Sequence, residues 1–388
     1  MEHKKLAIIS THPIQYNAPL FKLLTQRAFL KIKVLYTWGQ SKKGEKYDPG
    51  FGKQVNWDIP LLEGYEYSFI KNTSRDPGTH HYTGIINPTL LKEIEEWQPT
   101  AVLVYGWSFK SHLQCLRYFH KKIPVIFRGD SNLLDEVKGI RRMVRRIFLN
   151  WIYSHVDHAL YVGTQNKLYY KQHGLKESQL SFSPHAIDND RFSREENKFI
   201  TEAAHWRIQL QIAPDELVFL FAGKLEPKKD PELLIKAFTK IYEPGIHLVV
   251  VGNGILENEL KMNYAGIPGL HFIDFQNQSI MPVVYHLGDV FVLPSKGPAE
   301  TWGLSVNEAM ACKKAIIVSN KVGCAVDLVE NDKNGYIFES GNELELANKM
   351  KLFISDHQKS KQLGLASFDK ISDWNYKFIA ERIEKLLN

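Results

Sequence analysis

With 388 residues and 44% apolar content, the chain is long enough for two domains with full cores. Its three cysteines, Cys115, Cys312 and Cys324, show neither metal-ligand spacing nor an even disulfide framework, so a reducing, cytoplasmic setting is expected. The net charge of +6 is unevenly spread, +9 over residues 1–190 and −3 over the remainder, which directs the first half toward an anionic partner.

The apolar run Leu6–Ile9 behind Lys4-Lys5 is too short for the hydrophobic region of a signal peptide. No run approaches the length of a membrane span, so the expectation is a soluble protein, at most peripheral at the inner face of a membrane. Leu6–Ile9 reads instead as a first buried strand, followed by the loop His12-Pro13-Ile14-Gln15-Tyr16-Asn17 and a helix from Leu20. Further strands are predicted at 31–37, 101–105, 124–127 and 158–162, with helices between them such as 88–97. Alternation of this kind predicts a doubly wound α/β sheet. Residues 42–67 read as a long loop rich in Gly, Pro, Trp and Tyr, with two readings left open: a sugar-stacking acceptor surface or a packed surface excursion. Arg128 and Asp130 follow the strand at 124–127, and His112 follows the strand at 101–105. Residues 138–153 predict an amphipathic helix, with apolar residues at 140, 143/144, 147/148 and 151/152 and Arg141, Arg142, Arg145 and Arg146 in the gaps. That pattern fits either a solvated basic face or contact with an anionic membrane surface. Asp188-Asn189-Asp190 has the spacing of a divalent-metal motif, and His155 and His158 lack a third ligand; no metal site is expected from either.

In the second half, a strand at 217–221 enters Gly223-Lys224-Leu225-Glu226-Pro227-Lys228-Lys229, where a glycine and two lysines spaced across a turn suit a diphosphate. A strand at 247–251 ends in Gly252-Asn253-Gly254, and a strand at 271–275 exits at Phe275-Gln276. A buried strand at 289–293 then runs into Pro298-Ala299-Glu300-Thr301-Trp302-Gly303-Leu304, with a helix predicted from about Gly303 through Glu308 to Ala311. One carboxylate therefore sits in a loop at a strand's carboxyl end and a second about a turn into the next helix. Between them lie helix N-terminal amides suited to phosphate. A strand at 315–318 leads to Val322-Gly323-Cys324, and residues 374–387 predict a final amphipathic helix.

Glu300 and Glu308, separated by seven residues with Gly303 and Glu308-Ala309-Met310 in place, resemble the E-x7-E element of retaining GT-B glycosyltransferases, specifically glycosyltransferase family 4. Residues 223–229 resemble that family's G-R-L-x-x-x-K segment, with Lys224 in place of arginine. Residues 184–192 resemble its P-N-G-V-D-x-x-x-F segment. The resemblance covers essentially the whole chain and is densest from 217 to 340. Two departures stand out: the first loop has no glycines, so Gln15 and Asn17 substitute as polar groups there, and the usual cleft histidine is missing after residue 127, leaving Arg128, Asp130 or His112 in its place.

The resemblance implies two Rossmann-like domains facing across a cleft, residues 1–195 and 196–372, with residues 373–388 crossing back to the first. It implies retaining transfer of a hexosyl unit from a nucleoside-diphosphate sugar to a glycan or lipid-linked acceptor in bacterial surface glycan synthesis, with no metal, no other cofactor and no nucleic-acid partner. By the same resemblance Glu300, Lys224, Lys229, Arg128 and Asp130 carry the catalytic roles, and no protein nucleophile is named. Donor contacts fall to Glu308, Gly223, Thr301, Trp302, Gly303, Leu304, Gly252, Phe275, Gln276, Gln15 and Asn17. A nucleotide-sugar epimerase or hydrolase of the same fold, and a non-catalytic carbohydrate- or nucleotide-binding protein, are the alternatives.

Overall fold

A computed structural model describes residues 4–39, 45–48, 53–136 and 139–388. The chain forms two compact units, one from Met1–Lys46, Ile59–His185 and Tyr376–Asn388, the other from Tyr47–Asp58 and Ala186–Asn375.

Along the first half lie β1 (Lys4–Ser10), β2 (Leu30–Tyr36), β3 (Glu45–Asp48), β4 (Lys53–Asn56), β5 (Glu66–Phe69), β6 (Ala101–Tyr105), β7 (Val125–Arg128), β8 (His158–Tyr161) and β9 (Leu180–Phe182). Seven of these make one parallel sheet in the order β5-β2-β1-β6-β7-β8-β9, while β3 and β4 form a separate two-stranded sheet. The stretch expected to be one long loop thus contains β3, β4 and the first half of β5. Its aromatic and glycine content hides the short alternating runs Glu45–Asp48 and Lys53–Asn56.

The second unit holds β10 (Leu217–Ala222), β11 (Ile246–Val251), β12 (Leu270–Ile273), β13 (Val290–Leu293), β14 (Ala315–Ser319) and β15 (Gly335–Phe338), all parallel in the order β12-β11-β10-β13-β14-β15. Helices on both faces explain why β10, Leu-Val-Phe-Leu-Phe-Ala, is buried at every residue rather than at alternate ones.

The units divide at 185/186 and 375/376, not at 195/196 and 372/373 as the sequence suggests. The reason is local. Asn189 donates to Ile371 O (3.1 Å), the Arg191 guanidinium donates to Gln278 Oε1 (2.8 Å), and the buried Phe192 ring packs 6.0 Å from Tyr285. All three partners lie in the second unit. Asp188 accepts from Arg191 N as a helix N-cap, and Asp190 pairs with Arg194 at 3.3 Å, so the metal-motif spacing serves a helix start. The last helix, Tyr376–Leu387, joins the first unit: Glu384 grips Arg27 through two 2.7 Å bonds, and Tyr376 donates to Tyr16 O at 3.0 Å.

Candidate functional site

In the second sheet, β10 has β11 on one side and β13 on the other, so strand order reverses there. The carboxyl ends of β10 and β13 are therefore the topological switch point, where open parallel sheets leave a crevice for ligands. The loops after these strands, residues 223–230 and 294–303, are joined in three places. Lys296 N donates to Lys228 O (2.9 Å), Lys296 Nζ pairs with Asp230 (3.0 Å), and Lys229 Nζ lies 2.6 Å from Glu300 Oε2. Glu300 is only 7% exposed and also accepts from Ser295 Oγ at 3.1 Å.

The shape of the second loop is fixed by backbone conformations and a close approach. Ala299 (φ +69°) and Gly303 (φ +95°) both occupy the left-handed region, and a Cβ on Gly303 would come within 2.8 Å of Val322 Cγ1. A Cβ on Gly323 would lie 1.8 Å from Thr301 O, so the segment after β14 can press against residues 300–302 only with glycine there. Gly323 N then donates to Glu300 O (3.1 Å) and Cys324 N to Trp302 O (2.9 Å). Cys324 is fully buried. Burial, assisted by the Glu300 carboxylate, pushes its thiol well up, so it serves as packing and not as a nucleophile.

The helix Leu304–Ala311 starts immediately after Gly303. Glu308 is 3% exposed and accepts from the Tyr285 hydroxyl at 2.7 Å. Trp302 is buried as well, donating to Asn307 Oδ1 at 2.9 Å with its ring 5.4 Å from Trp374. Its side chain therefore props the loop, and a ligand would meet the main chain of Thr301, Trp302, Gly303 and Leu304. On the other side, the turn at Gly252 (φ +139°) lies so close to Gly223 that a Cβ would be 2.0 Å from Gly223 O. Asn253 O accepts from Leu225 N (3.0 Å), which seats Lys224 at the end of β10, and Asn253 Oδ1 accepts from Phe275 N (2.9 Å). Phe275 and Gln276 are half-buried at the end of β12.

Part of the aromatic excursion is packed against its own unit. Asn277 donates to Asn56 O (2.6 Å), Ser279 N to Asp58 Oδ1 (3.0 Å), and the Trp57 ring sits 6.5 Å from Phe275. Residues 56–58 are packed on the second unit beside Phe275. Residues 49–52 lie outside the described residues.

The first unit treats its predicted residues differently. Gln15 and Asn17 are half-buried in the loop after β1, where Asn17 N bonds Ile14 O (2.9 Å). Arg128, at the end of β7, is buried, and its guanidinium donates to Ser183 O (2.9 Å), Ser183 Oγ (2.7 Å) and Pro184 O (2.9 Å). It clamps the segment after β9 through three of its five N–H groups. His112 is fully buried, with Nδ1 2.9 Å from Tyr105 O and Nε2 2.9 Å from Thr37 Oγ1; burial lowers it to about 4, so it is a neutral tie between strand ends. A histidine that the sequence reading did not single out, His185, lies within electrostatic reach of Arg128 and Asp130. Burial and then the Arg128 cation hold it down to about 4, while Asp130 pulls the other way. Arg128, Asp130 and His185 thus form one electrostatic cluster, and the advance signal for His185 was its place inside the quoted 184–192 segment. A cavity of about 570 Å³ opens nearby in the fold, at the ends of β2 and β5, lined by Trp38, Phe69, Lys71, Asn72 and Pro77 among others.

The helix predicted at 138–153 runs over Ile140–Tyr153, with Lys138 outside the described residues. It packs through Leu149, Ile152 and Tyr153. Ile140 (81% exposed), Met143 (65%), Val144 (62%) and Ile147 (71%) face outward among the arginines.

The glycosyl transferases group 1 family matches residues 202–368, within the second unit. The chain is 31% identical over 182 residues to spore coat protein SA of Bacillus subtilis, covering 43% of this chain and 47% of that protein. It is 25% identical over 273 residues to the Campylobacter jejuni α-1,4-N-acetyl-D-galactosaminyltransferase named for a GalNAc-GalNAc-diNAcBac-PP-undecaprenol substrate, covering 69% and 68%. In the first of these, as in other curated relatives, the chain spans about half of the relative's length or less. Among solved structures, Anabaena HepE in complex with UDP superposes with a TM-score of 0.74 at 18% identity over 99% of both chains. The fold is that of the GT-B class, built from two Rossmann-like α/β units.

Proposed function

From the match of residues 202–368 to the glycosyl transferases group 1 family, we propose that the protein transfers a hexosyl unit from a nucleoside-diphosphate sugar to a glycan or lipid-linked acceptor, with retention at the reacting carbon and without a metal. The observation that carries the reading is the Lys229–Glu300 pair, 2.6 Å across the β10/β13 switch point at the start of a helix. Departure of the nucleoside diphosphate builds negative charge on phosphate. Lys229 has three donors, so it serves Glu300 and phosphate oxygens together. Lys224 and the amides at Gly303 and Leu304 add to that stabilisation. Glu300 holds sugar hydroxyls near the reacting carbon, and Glu308, steadied by Tyr285, holds those of the ribose. UDP in HepE and the undecaprenol-linked substrate in the name of the Campylobacter relative agree with a nucleotide donor and a lipid-linked acceptor.

A lipid-linked acceptor also accounts for the outward apolar face of the helix Ile140–Tyr153. Monomeric proteins rarely expose a run such as Ile140, Met143, Val144 and Ile147 to water, and here four arginines flank it. Each basic residue near an anionic bilayer contributes about 1 kcal/mol, so the helix lies on the cytoplasmic face of the membrane, reversibly. No described helix is long and apolar enough to cross a membrane. Co-sedimentation with anionic vesicles is expected to fall at high salt and in an Arg141/Arg142/Arg145/Arg146→Ser variant; equal sedimentation of variant and wild type removes this helix as the anchor.

The donor reading is tested with a panel of UDP-, GDP- and ADP-sugars scored for binding and slow hydrolysis, with and without excess EDTA. Transfer that needs an acceptor and survives EDTA supports it. Full-speed donor consumption with no acceptor identifies an epimerase or hydrolase. Binding without turnover identifies a carbohydrate- or nucleotide-binding protein, and activity lost to EDTA and restored by magnesium or manganese removes the metal-free mechanism.

A further inference from the structure

We propose that Asp76, His80 and His81 form a binding site for a divalent transition-metal ion of the zinc class, in the first unit and separate from the donor chemistry. One ligand atom from each residue lies within 4.8 Å of the other two. Both imidazoles approach the same carboxylate oxygen: His80 Nε2 is 3.3 Å and His81 Nε2 3.1 Å from Asp76 Oδ2, and His81 Nε2 also lies 3.0 Å from the Asp76 main-chain oxygen. Charge-assisted hydrogen bonds run shorter, about 2.7–2.9 Å. Ligand atoms held about 2.0–2.1 Å from a tetrahedral zinc ion stand roughly 3.3 Å apart along each edge. The two Asp76–imidazole separations are close to the edges of such a tetrahedron.

The ligands sit on a loop that is already closed. Asn72 Nδ2 donates to Gly84 O (2.8 Å), and Asn72 Oδ1 accepts from both Ser74 N (3.0 Å) and Ile86 N (2.9 Å). Gly78 N reaches Gly84 O at 3.2 Å, an approach so tight that a Cβ on Gly84 would lie 2.2 Å from Gly78 O. His81 Nδ1 stands 3.1 Å from Thr83 Oγ1, which orients the ring in the way that outer partners orient metal-bound imidazoles. Asp76 and His80 are exposed, so an ion reaches them directly from solvent. Two imidazoles and one carboxylate select zinc, cobalt, nickel or copper over magnesium and calcium, which prefer all-oxygen sites. Three protein ligands leave a fourth position for water. Pro77, inside this loop, lines the 570 Å³ cavity at the ends of β2 and β5, so a bound ion also stiffens one wall of that cavity.

The experiment uses the full chain without an affinity tag, titrated calorimetrically with Zn²⁺ and, separately, with Co²⁺ followed by visible absorption. One ion per chain and tetrahedral Co²⁺ bands are expected, with binding weakened as pH falls because imidazole must be deprotonated. Asp76→Asn and His80→Gln/His81→Gln variants are expected to lose at least tenfold in affinity while keeping their circular dichroism, since the positions lie on the surface. A His247→Gln/His271→Gln variant, altering another close histidine pair (3.1 Å apart), is expected to bind as wild type does. The proposal is overturned by no stoichiometric binding to the wild type, by equal binding to the His80/His81 variant, or by binding that follows His247 and His271 instead.

Discussion

The ends of the two sheets handle charge in opposite ways. At the β10/β13 switch point an acid and a base from different loops meet with little water, Lys229 on Glu300, and both stay at the edge of the loops that would surround a ligand. At the corresponding edge of the first sheet, the arginine is buried and spent on carbonyls at 183 and 184, the histidine at 112 is held neutral, and His185 stands beside them at a lowered pKa. The first arrangement stores a charge pair that a phosphorylated ligand can exchange with. The second uses charge to fix the chain and leaves neutral imidazole where a proton could move.

Replacing Lys229 breaks this contrast most severely. Lys229→Met leaves the buried Glu300 carboxylate uncompensated, so a loss of about 3–5 kcal/mol is expected in denaturant unfolding of the second unit. The double variant Lys229→Met/Glu300→Gln should recover much of it; no recovery means the two groups are not coupled. Next in size is Glu300→Gln, which keeps shape and removes charge. Turnover is expected to fall by roughly 10² or more, about 2.7 kcal/mol, with much less change in nucleotide affinity. A variant with unchanged turnover places the reacting sugar elsewhere.

How far these residues were legible in sequence depended on distance along the chain. Glu300, Gly303 and Glu308 lie within one strand–loop–helix unit, so their spacing announced the geometry. Lys229 was visible as a motif residue, but its partnership with Glu300 follows from strand order, which spacing does not encode. The clamping role of Arg128 was hidden for the same reason. Its partners at 183 and 184 arrive through the pairing of β7, β8 and β9, and β9 is too short to show a pattern. The helix 140–153 was read correctly as amphipathic, yet sequence could not tell which face is buried. Its anchor is Leu149, Ile152 and Tyr153, of which only Ile152 belongs to the obvious stripe, leaving Ile140, Met143, Val144 and Ile147 outside.

A milder test sharpens the donor side. Glu308→Gln is expected to weaken UDP or GDP binding by roughly 1.5–3 kcal/mol by calorimetry, through a lost charged hydrogen bond. Tyr285→Phe should weaken it less, because it removes only the support of that carboxylate. Unchanged affinity in folded Glu308→Gln would falsify the ribose role.

The smallest expected effect probes the first unit. His112 has a folded pKa of about 4 against an ordinary 6.5, so the unfolded chain binds more protons between those values. Its contribution is complete above pH 6.5 and is lost as pH falls toward 4. Between pH 7 and 5 this amounts to at most about 2 kcal/mol. A His112→Gln variant should show a flatter dependence of unfolding free energy on pH over that interval, and an identical slope assigns the acid sensitivity to another group.

The closing helix carries a practical consequence for anyone who trims or extends this chain. Tyr376–Leu387 follows the second unit in sequence, but its contacts with Arg27 and with the carbonyl of Tyr16 belong to the first. Cutting the chain before Tyr376 would strip the cover from helix Ala18–Gln26 and release the backbone between Gln15 and Asn17. Damage done at the carboxyl terminus would therefore be felt near the amino terminus, and a protease cut between residues 375 and 376 would report on the stability of the opposite end of the polypeptide.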